Sequence, residues 1–301
     1  MPTISGTVYD SVGAPAAGRI VRTYRRDTGA LLGSAVTSDG LPVAGDPHYA
    51  NVSLLLHFDG ADGSTTFVDS SPRPKTATVI GGVKISTAQS QFGGASSQFD
   101  GSDDELFFAS NSDFGFGTGD FALEAWVRRK NADCAIFDLR VTGTDASAMV
   151  GYISATGYLA WWDNSARISA TEYIPMDTWT HVAYCRAAGV LTMYVGGVAT
   201  RSDVKGSDMG SARALRIGRD AGGNADFYGH LDDIRVTKGV SRYTANFTPP
   251  AAPHYDRLPA DATPVGSYGI TTAYTGEVQR IVLDDDAGDL YNDLIDRVVL
   301  A

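Results

Sequence analysis

The side chains of this 301-residue chain that could do acid–base chemistry are carboxylates, and their spacing does not suit a glycoside hydrolase. The chain contains four glutamates: Glu105, Glu124, Glu172 and Glu277. A retaining glycosidase needs two carboxylates about 5 Å apart, and no Glu-x-Asp-x-x-Glu pattern occurs here. Asp232 and Asp233 are adjacent, so in a regular strand they point to opposite faces. The carboxylates therefore predict no catalytic pair.

The positions of the histidines and the lack of nucleophile motifs also predict that the chain has no catalytic site. His57, His181 and His230 each lie in a strand-like run, where a core or strand-face role is more common than catalysis or metal binding. The sequence has no Gly-x-Ser-x-Gly elbow, no His-Glu-x-x-His helix and no phosphate-binding loop. We therefore predict that the protein is not an enzyme.

Two adjacent tryptophans, Trp161 and Trp162, are the candidate ligand-binding residues. They lie in the run GYLAWWDN, and if this run is a strand, one of the two rings must face outward. An exposed indole can stack on the apolar face of a sugar, whereas a buried one serves the core or an interface. The sequence leaves both roles open.

The charge of the chain excludes several partners. Its formal net charge is −11, with 35 Asp and Glu against 24 Lys and Arg. An acidic surface repels phosphate groups, so we expect neither nucleic acid nor an anionic membrane as a partner.

The start, MPTISGTVYD, lacks the basic and apolar regions of a secretion signal. No apolar run approaches the ~20 residues that span a bilayer, so we expect no membrane insertion.

Strands must position these side chains, because alternation with period two runs through the chain and helical periodicity is nearly absent. In the run 121–128, Phe121, Leu123, Ala125 and Val127 fall on one face, with Glu124 and Arg128 on the other. The runs 180–187, 190–195 and 229–236 are also strand-like, and the second of them is followed by a Gly196-Gly197 hairpin turn. The sequence therefore predicts an all-β sandwich or jelly roll. Cys134 and Cys185 lie in such runs, which favours buried free thiols but leaves a disulfide open.

Two proline-rich segments, 41–48 and 248–264, divide the chain. We predict one domain over 48–250, linkers at 41–47 and 251–264, and a second, discontinuous domain formed by 1–40 and 265–301. Each terminal piece has too few strands to be stable alone, and together they give a five-strand series with hairpin spacing. The alternative is two independent small appendages.

The central block resembles the laminin-G-like, concanavalin-type jelly rolls of phage and bacterial surface proteins. The motifs that carry the resemblance follow the family's order: SLLLHFDG, FVDSS, QFGGASSQFDG, GDFALEAWVR, TWTHVAYCR, LTMYVGGV, LRIGRD and FYGHLDDIRVTKGVSRYTANFTPP. One departure is Gly196, where the family often has aspartate before the turn glycine.

The resemblance implies one structural calcium ion, because many proteins of this fold hold one that ties the first strand region to the last. Carried across by motif, its ligands would be Asp59 in HFDG, Asp69 in VDSS and Asp232 in HLDDIRV. The alternative is that these aspartates only cap turns, as aspartate commonly does. The fold also implies a glycan groove on its concave sheet.

The terminal pieces resemble the carboxypeptidase-regulatory-like module, a small immunoglobulin-like sandwich, through GTVYDSVGAPAAGRIVRTYRRDTGALLGSAVTSDG and GSYGITTAYTGEV. The ending VLDDDAGDLYNDLIDRVV is similar to the ends of modules in phage virion proteins. The combined resemblance implies a bacteriophage virion component, made in the host cytoplasm, in which a jelly roll is inserted into the immunoglobulin-like module.

The expected partners are other virion proteins, further copies of this chain in a homo-oligomer, and a host-surface glycan. The proposed partner-binding residues are apolar side chains of the acidic tail that we expect a small sandwich to leave outside its core: Leu290, Tyr291, Leu294 and Ile295. The alternative functions are a carbohydrate-binding module of a bacterial surface protein and a glycoside hydrolase.

Overall fold

The computed structural model describes residues 45–163 and 169–257 with their side chains, and several further strands by their backbone alone. Its contacts group the chain into two compact units. The terminal unit comprises Met1–Gly45 and Pro259–Ala301, and the central unit comprises Asp46–Leu258. Among the described residues, no helix is long and apolar enough to cross a membrane.

The terminal unit pairs strands from both ends of the chain. Its strands are β1 (Thr3–Thr7), β2 (Ile20–Arg25), β3 (Leu31–Val36), β19 (Ser267–Thr271), β20 (Glu277–Asp284), β21 (Leu290–Tyr291) and β22 (Val298–Val299). Strand β1 pairs antiparallel with β19, and β2 pairs with β3 and with β20. Strands β21 and β22 both pair with β20. The immunoglobulin-like character of this unit and its exact boundaries stay predictions.

In its described residues, the central unit has fifteen strands in two antiparallel sheets. The strands are β4 (Val52–Leu56), β5 (Thr78–Ile80), β6 (Lys84–Ser86), β7 (Ser96–Asp100), β8 (Glu105–Asn111), β9 (Phe121–Arg129), β10 (Cys134–Asp138), β11 (Val150–Ile153), β12 (Tyr158–Trp162), β13 (Arg167–Tyr173), β14 (Thr180–Ala187), β15 (Val190–Val195), β16 (Val198–Val204), β17 (Arg213–Ile217) and β18 (Tyr228–Lys238). Two single-turn 3-10 helices cover Tyr49–Asn51 and Ser112–Phe114.

One sheet has eight strands in the order β16-β15-β14-β9-β18-β7-β6, with β4 pairing β18 beside β7. The other has seven strands in the order β13-β12-β11-β10-β17-β8-β5. A single apolar core lies between the two sheets. The predicted all-β jelly roll is confirmed.

Strand alternation decides which residues enter this core. In β9, Phe121, Leu123, Ala125 and Val127 are fully buried in it, as their spacing predicts. The hairpin between β15 and β16 turns at Gly196 and Gly197, whose φ angles of 59° and 80° favour glycine. A Cβ on Gly197 would also lie 2.0 Å from the Phe247 carbonyl oxygen.

Residues 239–257, here called the strap, pack on the outer face of the eight-stranded sheet. Tyr243 and Phe247 of the strap stack on each other at 3.5 Å and cover Tyr194 and Cys185 of the sheet. The backbone N–H of Asp46 donates to the carbonyl of Arg257 at 2.8 Å. Residues 251–257, which the sequence assigned to a linker, are thus part of the central unit.

Both cysteines are buried free thiols, Cys134 in the seven-stranded sheet and Cys185 in the eight-stranded sheet. Burial raises the pKa of each thiol to about 12. Neither thiol is therefore a nucleophile at neutral pH, because the thiolate is the reactive form.

Candidate functional site

The outer face of the seven-stranded sheet carries a row of aromatic and charged residues from five neighbouring strands. Cross-strand pairing places them side by side in the order Phe107, Arg216, Asp138, Val150 and Trp162. The Arg216 guanidinium lies 4.7 Å from the centre of the Phe107 ring. The row thus has an aromatic ring at each end, with the charged Arg216 and Asp138 and the apolar Val150 between them.

The two adjacent tryptophans face opposite sides of this sheet, because β12 is a regular strand there. Trp161 is 4% exposed and belongs to the core between the sheets. Trp162 is half-buried and packs on the outer face against a small apolar cluster that includes Tyr152 and Ala160. Of the two candidate ligand-binding residues, only Trp162 presents its ring to the outside.

Arg140 fixes the Trp162 ring from one side, with its guanidinium 4.7 Å from the ring centre. Its side chain is fully buried and donates to both oxygens of Asp138, at 2.6 to 3.1 Å, and to Asp220 Oδ2 at 3.0 Å. Burial alone would lower the pKa of Arg140, but its bonds to Asp138 and Asp220 raise it. Burial also raises the pKa of Asp138, and the bond to Arg140 only partly offsets this. The indole therefore rests on a rigid, charged support.

A β-bulge corrects the prediction that Asp232 and Asp233 face opposite sides of β18. Leu231 and Ile234 both enter the core, and the register with β9 shifts between Asp232 and Arg235. Asp233 adopts a φ of 45°, which an alternating strand pattern does not encode. Both carboxylates consequently lie on the outer side of the eight-stranded sheet.

The carboxylates of the two aspartates in the bulge are buried and accept hydrogen bonds from other residues. Asp232 accepts from the backbone N–H groups of Gln91 and Phe92 at 2.8 and 3.1 Å, and from its neighbour Asp233 at 2.8 Å. Asp233 contacts His57 Nδ1 at 2.8 Å through Oδ1 and accepts from the backbone N–H of His254 at 2.9 Å through Oδ2. Burial raises the pKa of Asp232 to about 7, against the effect of its N–H donors.

The three candidate calcium ligands have different surroundings. Asp69 accepts four hydrogen bonds, from Leu55 N, Ser71 N, Ser71 Oγ and Lys75 N, so its oxygens act as a turn cap. Asp59 is exposed and borders the 91–93 loop so closely that a Cβ on Gly93 would lie 1.7 Å from its Oδ1. Asp232 binds the N–H groups of the same loop. The structure thus brings Asp59 and Asp232 to one loop, and Asp69 has its own partners.

A buried polar cluster lies where the strap meets the eight-stranded sheet. At its centre, Glu124 Oε1 accepts from Arg235 at 2.8 to 2.9 Å and Oε2 accepts from the Tyr243 hydroxyl at 2.8 Å. The Nε2 atoms of His181 and His254 lie 3.3 and 3.7 Å from Glu124 Oε2. Burial alone would raise the pKa of Glu124, but Arg235 and the histidines hold it well below its usual value. Burial lowers the pKa of His254 to about 4.

The remaining predicted residues fall in two groups. His181 and His230 lie on strands, as expected, whereas His57 lies just after the end of β4 rather than within a strand. In the tail, Leu290 and Tyr291 form β21, whereas Leu294 and Ile295 lie outside the described residues. The role of these four tail residues in partner binding stays a prediction.

Sequence reasoning missed the Asp138–Arg140–Asp220 cluster and the part that His254 plays. One signal was available for the first, because Asp138 and Arg140 are two residues apart at the end of a strand and can share a face. No sequence signal joins Asp220, 80 residues away, to this pair. His254 lies among prolines and alanines, where no periodic pattern places it on a sheet.

Comparison with known proteins supports the fold of the central unit. Residues 99–241 match the family Laminin_G_3, described as the Concanavalin A-like lectin/glucanases superfamily. No curated protein matches the chain. The crystal structure of the botulinum neurotoxin serotype G binding domain aligns with a TM-score of 0.50 and 14% identity, over 64% of this chain and 49% of that one.

A second similar structure is domain 4 of AbnA, a GH43 extracellular arabinanase from Geobacillus stearothermophilus, solved in complex with arabinotriose. It aligns with a TM-score of 0.49 and 18% identity, over 64% of this chain and 94% of that one. The binding domain of botulinum neurotoxin serotype D aligns with a TM-score of 0.47 and 14% identity, over 65% of this chain and 50% of that one. The chain thus spans about half of the neurotoxin binding domains and nearly all of the arabinanase domain. At this identity the likeness concerns the fold alone, and the central unit of this protein has a concanavalin-type jelly-roll fold.

Proposed function

We propose that the jelly roll is a non-catalytic glycan-binding domain whose ligand lies on Trp162, on the outer face of the seven-stranded sheet. The observation that carries the proposal is the half-buried Trp162 ring. Arg140 contacts this ring, which lies at the end of the row that begins at Phe107. A fixed indole stacks on the apolar face of a sugar ring at little cost in side-chain entropy. Arg216, in the same row, would supply hydrogen bonds to sugar hydroxyls.

The carboxylates favour binding over hydrolysis. A glycosidase needs two carboxyl groups that reach the substrate. Asp232 and Asp233 are fully buried and their oxygens accept hydrogen bonds from backbone groups. Asp138 is equally buried and neutralised by Arg140. These carboxylates therefore stabilise the fold, and we propose that the protein has no hydrolase activity.

The experiment is a glycan array probed with the purified full-length protein, followed by titration of the best ligand. We expect Trp162→Ala to weaken binding at least tenfold. Trp179→Ala is the matched control, because Trp179 is also half-buried but lies beside His230 of the other sheet. Equal binding by wild type and Trp162→Ala would contradict the assignment of the surface, and an array without ligands would contradict glycan binding.

We further propose that this domain is displayed on a bacteriophage particle, with the terminal unit docked to other virion subunits in a homo-oligomer. The support is the sequence resemblance of the central block to jelly rolls of phage and bacterial surface proteins, and of the chain's ending to modules in phage virion proteins. Mass spectrometry of purified virions should detect the protein, and a substitution of Tyr291 should remove it from particles. Detection in a bacterial envelope instead would favour the alternative, an adsorption module of a bacterial surface protein.

For calcium, we propose Asp59 and Asp232 as ligands, with carbonyl groups of the loop they share. Calcium prefers carboxylate and carbonyl oxygens, and both aspartates border residues 91–93. When bound, the ion would supply the positive charge that the buried Asp232 lacks. Asp69 fits less well because its oxygens already accept four hydrogen bonds.

A further inference from the structure

The polar cluster under the strap contains two buried histidine rings, and ring nitrogens of both lack a hydrogen-bond partner. His181 is 1% exposed and His254 is 7% exposed. Both ring nitrogens of His181 and the Nε2 of His254 have no hydrogen-bond partner within the described part of the chain. Buried polar atoms normally have partners, because a group without one loses its hydration and gains nothing in return. These ring nitrogens are therefore available to bind a ligand.

The three donor atoms have the spacing that a metal ion requires. Glu124 Oε2 lies 3.3 Å from His181 Nε2 and 3.7 Å from His254 Nε2, and all three atoms lie within 4.8 Å of one another. In a tetrahedral zinc site with bonds near 2.05 Å, neighbouring ligand atoms are about 3.4 Å apart. Small side-chain movements would bring the three atoms to that geometry.

The surroundings hold the donors in place and offer a fourth. The His181 ring is set by aromatic neighbours, with Trp126 and Phe247 at 5.3 and 5.6 Å between ring centres. Asp233 Oδ2 lies 3.7 Å from His254 Nε2 and is a candidate fourth ligand. Arg235 binds the other oxygen of Glu124, Oε1, while Oε2 accepts a hydrogen bond from the Tyr243 hydroxyl at 2.8 Å and has a second lone pair that can bind an ion.

We propose that Glu124, His181 and His254 bind a zinc ion that fastens the strap to the eight-stranded sheet. Two imidazoles and a carboxylate suit zinc, whereas calcium prefers oxygen ligands alone. The site is separate from the proposed glycan surface, which lies on the other sheet, and from the proposed calcium ligands Asp59 and Asp232. Its role is structural, because its donors are buried and two of them belong to the sheet while the third belongs to the strap.

The test is the metal content of the full-length protein, expressed in zinc-supplemented medium, dialysed against a weak chelator and analysed by inductively coupled plasma mass spectrometry. We expect about one zinc per chain in wild type and at least a tenfold loss in His254→Phe. The matched control is His230→Phe, because His230 is also buried in the eight-stranded sheet but contacts Ser96 Oγ at 3.0 Å. It should retain the zinc. Zinc-free wild type, or equal zinc in wild type and His254→Phe, would overturn the proposal.

A second measurement does not depend on the folding of a variant. Cobalt that replaces zinc in a four-coordinate site with two imidazoles gives intense visible absorption, whereas octahedral cobalt at surface groups absorbs weakly. We expect wild type expressed with cobalt to show the intense bands. Weak octahedral absorption alone would overturn the proposal, whatever the behaviour of His254→Phe.

Discussion

Removing the positive charge of Arg140 should destabilise the jelly roll more than any surface substitution of the same chemistry. In Arg140→Met the side chain keeps much of its volume, but Asp138 and Asp220 lose their common partner. Asp138 has a fully buried side chain, so its carboxylate would be left uncompensated in the interior. Breaking a buried ion pair from one side costs about 3–5 kcal/mol. We expect the free energy of unfolding to fall by about that amount.

The assay is urea denaturation followed by tryptophan fluorescence. All four tryptophans, Trp126, Trp161, Trp162 and Trp179, belong to the central unit, so the signal reports unfolding of the jelly roll alone. The matched control is Arg201→Met, because Arg201 pairs with Asp203 at 2.7 Å with a half-exposed side chain. Surface pairs contribute little, and this control should change stability by less than about 1 kcal/mol.

The cost of Arg140→Met should also depend on pH. Burial raises the pKa of Asp138 above its usual value in the folded protein. A raised carboxyl pKa means that the folded state is favoured while the group is protonated, and that stability falls as pH rises through the folded pKa. Without Arg140 this pKa rises further. The difference between variant and wild type should therefore be smaller at pH 4 than at pH 7.5.

Two results would refute this reasoning. One is a loss at pH 7.5 that is no larger than that of Arg201→Met, since the buried pair would then contribute nothing beyond a surface pair. The other is a loss that is equal at pH 4 and pH 7.5, since the cost would then come from packing rather than from the uncompensated carboxylates.

Three further predictions concern other parts of the central unit. The fully buried Arg186 donates to the carbonyls of Phe116, Gly117, Gly119, Lys205 and Ser207, so Arg186→Met should reduce the free energy of unfolding by at least about 3 kcal/mol in the same fluorescence assay. Cys134 and Cys185 should not react with Ellman's reagent in the native protein and should both react after unfolding, because burial raises the pKa of each thiol to about 12. Calcium at a hundredfold excess over its Kd should stabilise wild type by about 2.7 kcal/mol, and Asp59→Ala should remove this gain in a thermal melt.

Several strands of the jelly roll could be predicted from the sequence because their apolar residues alternate and enter the core between the sheets. The run 180–187 forms β14 and the run 190–195 forms β15 with the predicted bounds. The Gly196-Gly197 pair forms the turn of the hairpin between β15 and β16, because this turn needs two positive φ angles. In these segments the hydrophobic pattern, the turn residues and the register all specify the same structure, so local sequence is sufficient.

The sequence was insufficient where the backbone departs from alternation. The bulge at Asp233 depends on a positive φ in a non-glycine residue, which its contacts with His57 and His254 maintain. Those partners are distant in sequence, so a local pattern assigns the two aspartates to opposite faces. The cluster at Glu124 is similar, because His254 reaches it only after the strap has folded across the sheet.

The strap also decides which outer face of the jelly roll can take a ligand. It covers part of the eight-stranded sheet with stacked Tyr243 and Phe247, and Glu124 and Arg235 beneath it are buried and paired with each other. On the seven-stranded sheet, Trp162 keeps part of its ring at the surface although Arg140 beneath it is fully buried. A partly exposed ring that Arg140 holds in place is already ordered before a ligand arrives, so stacking costs little conformational entropy. The same support makes Arg140 a positioning residue for Trp162: Arg140→Met should weaken glycan binding at pH values where the variant is still folded.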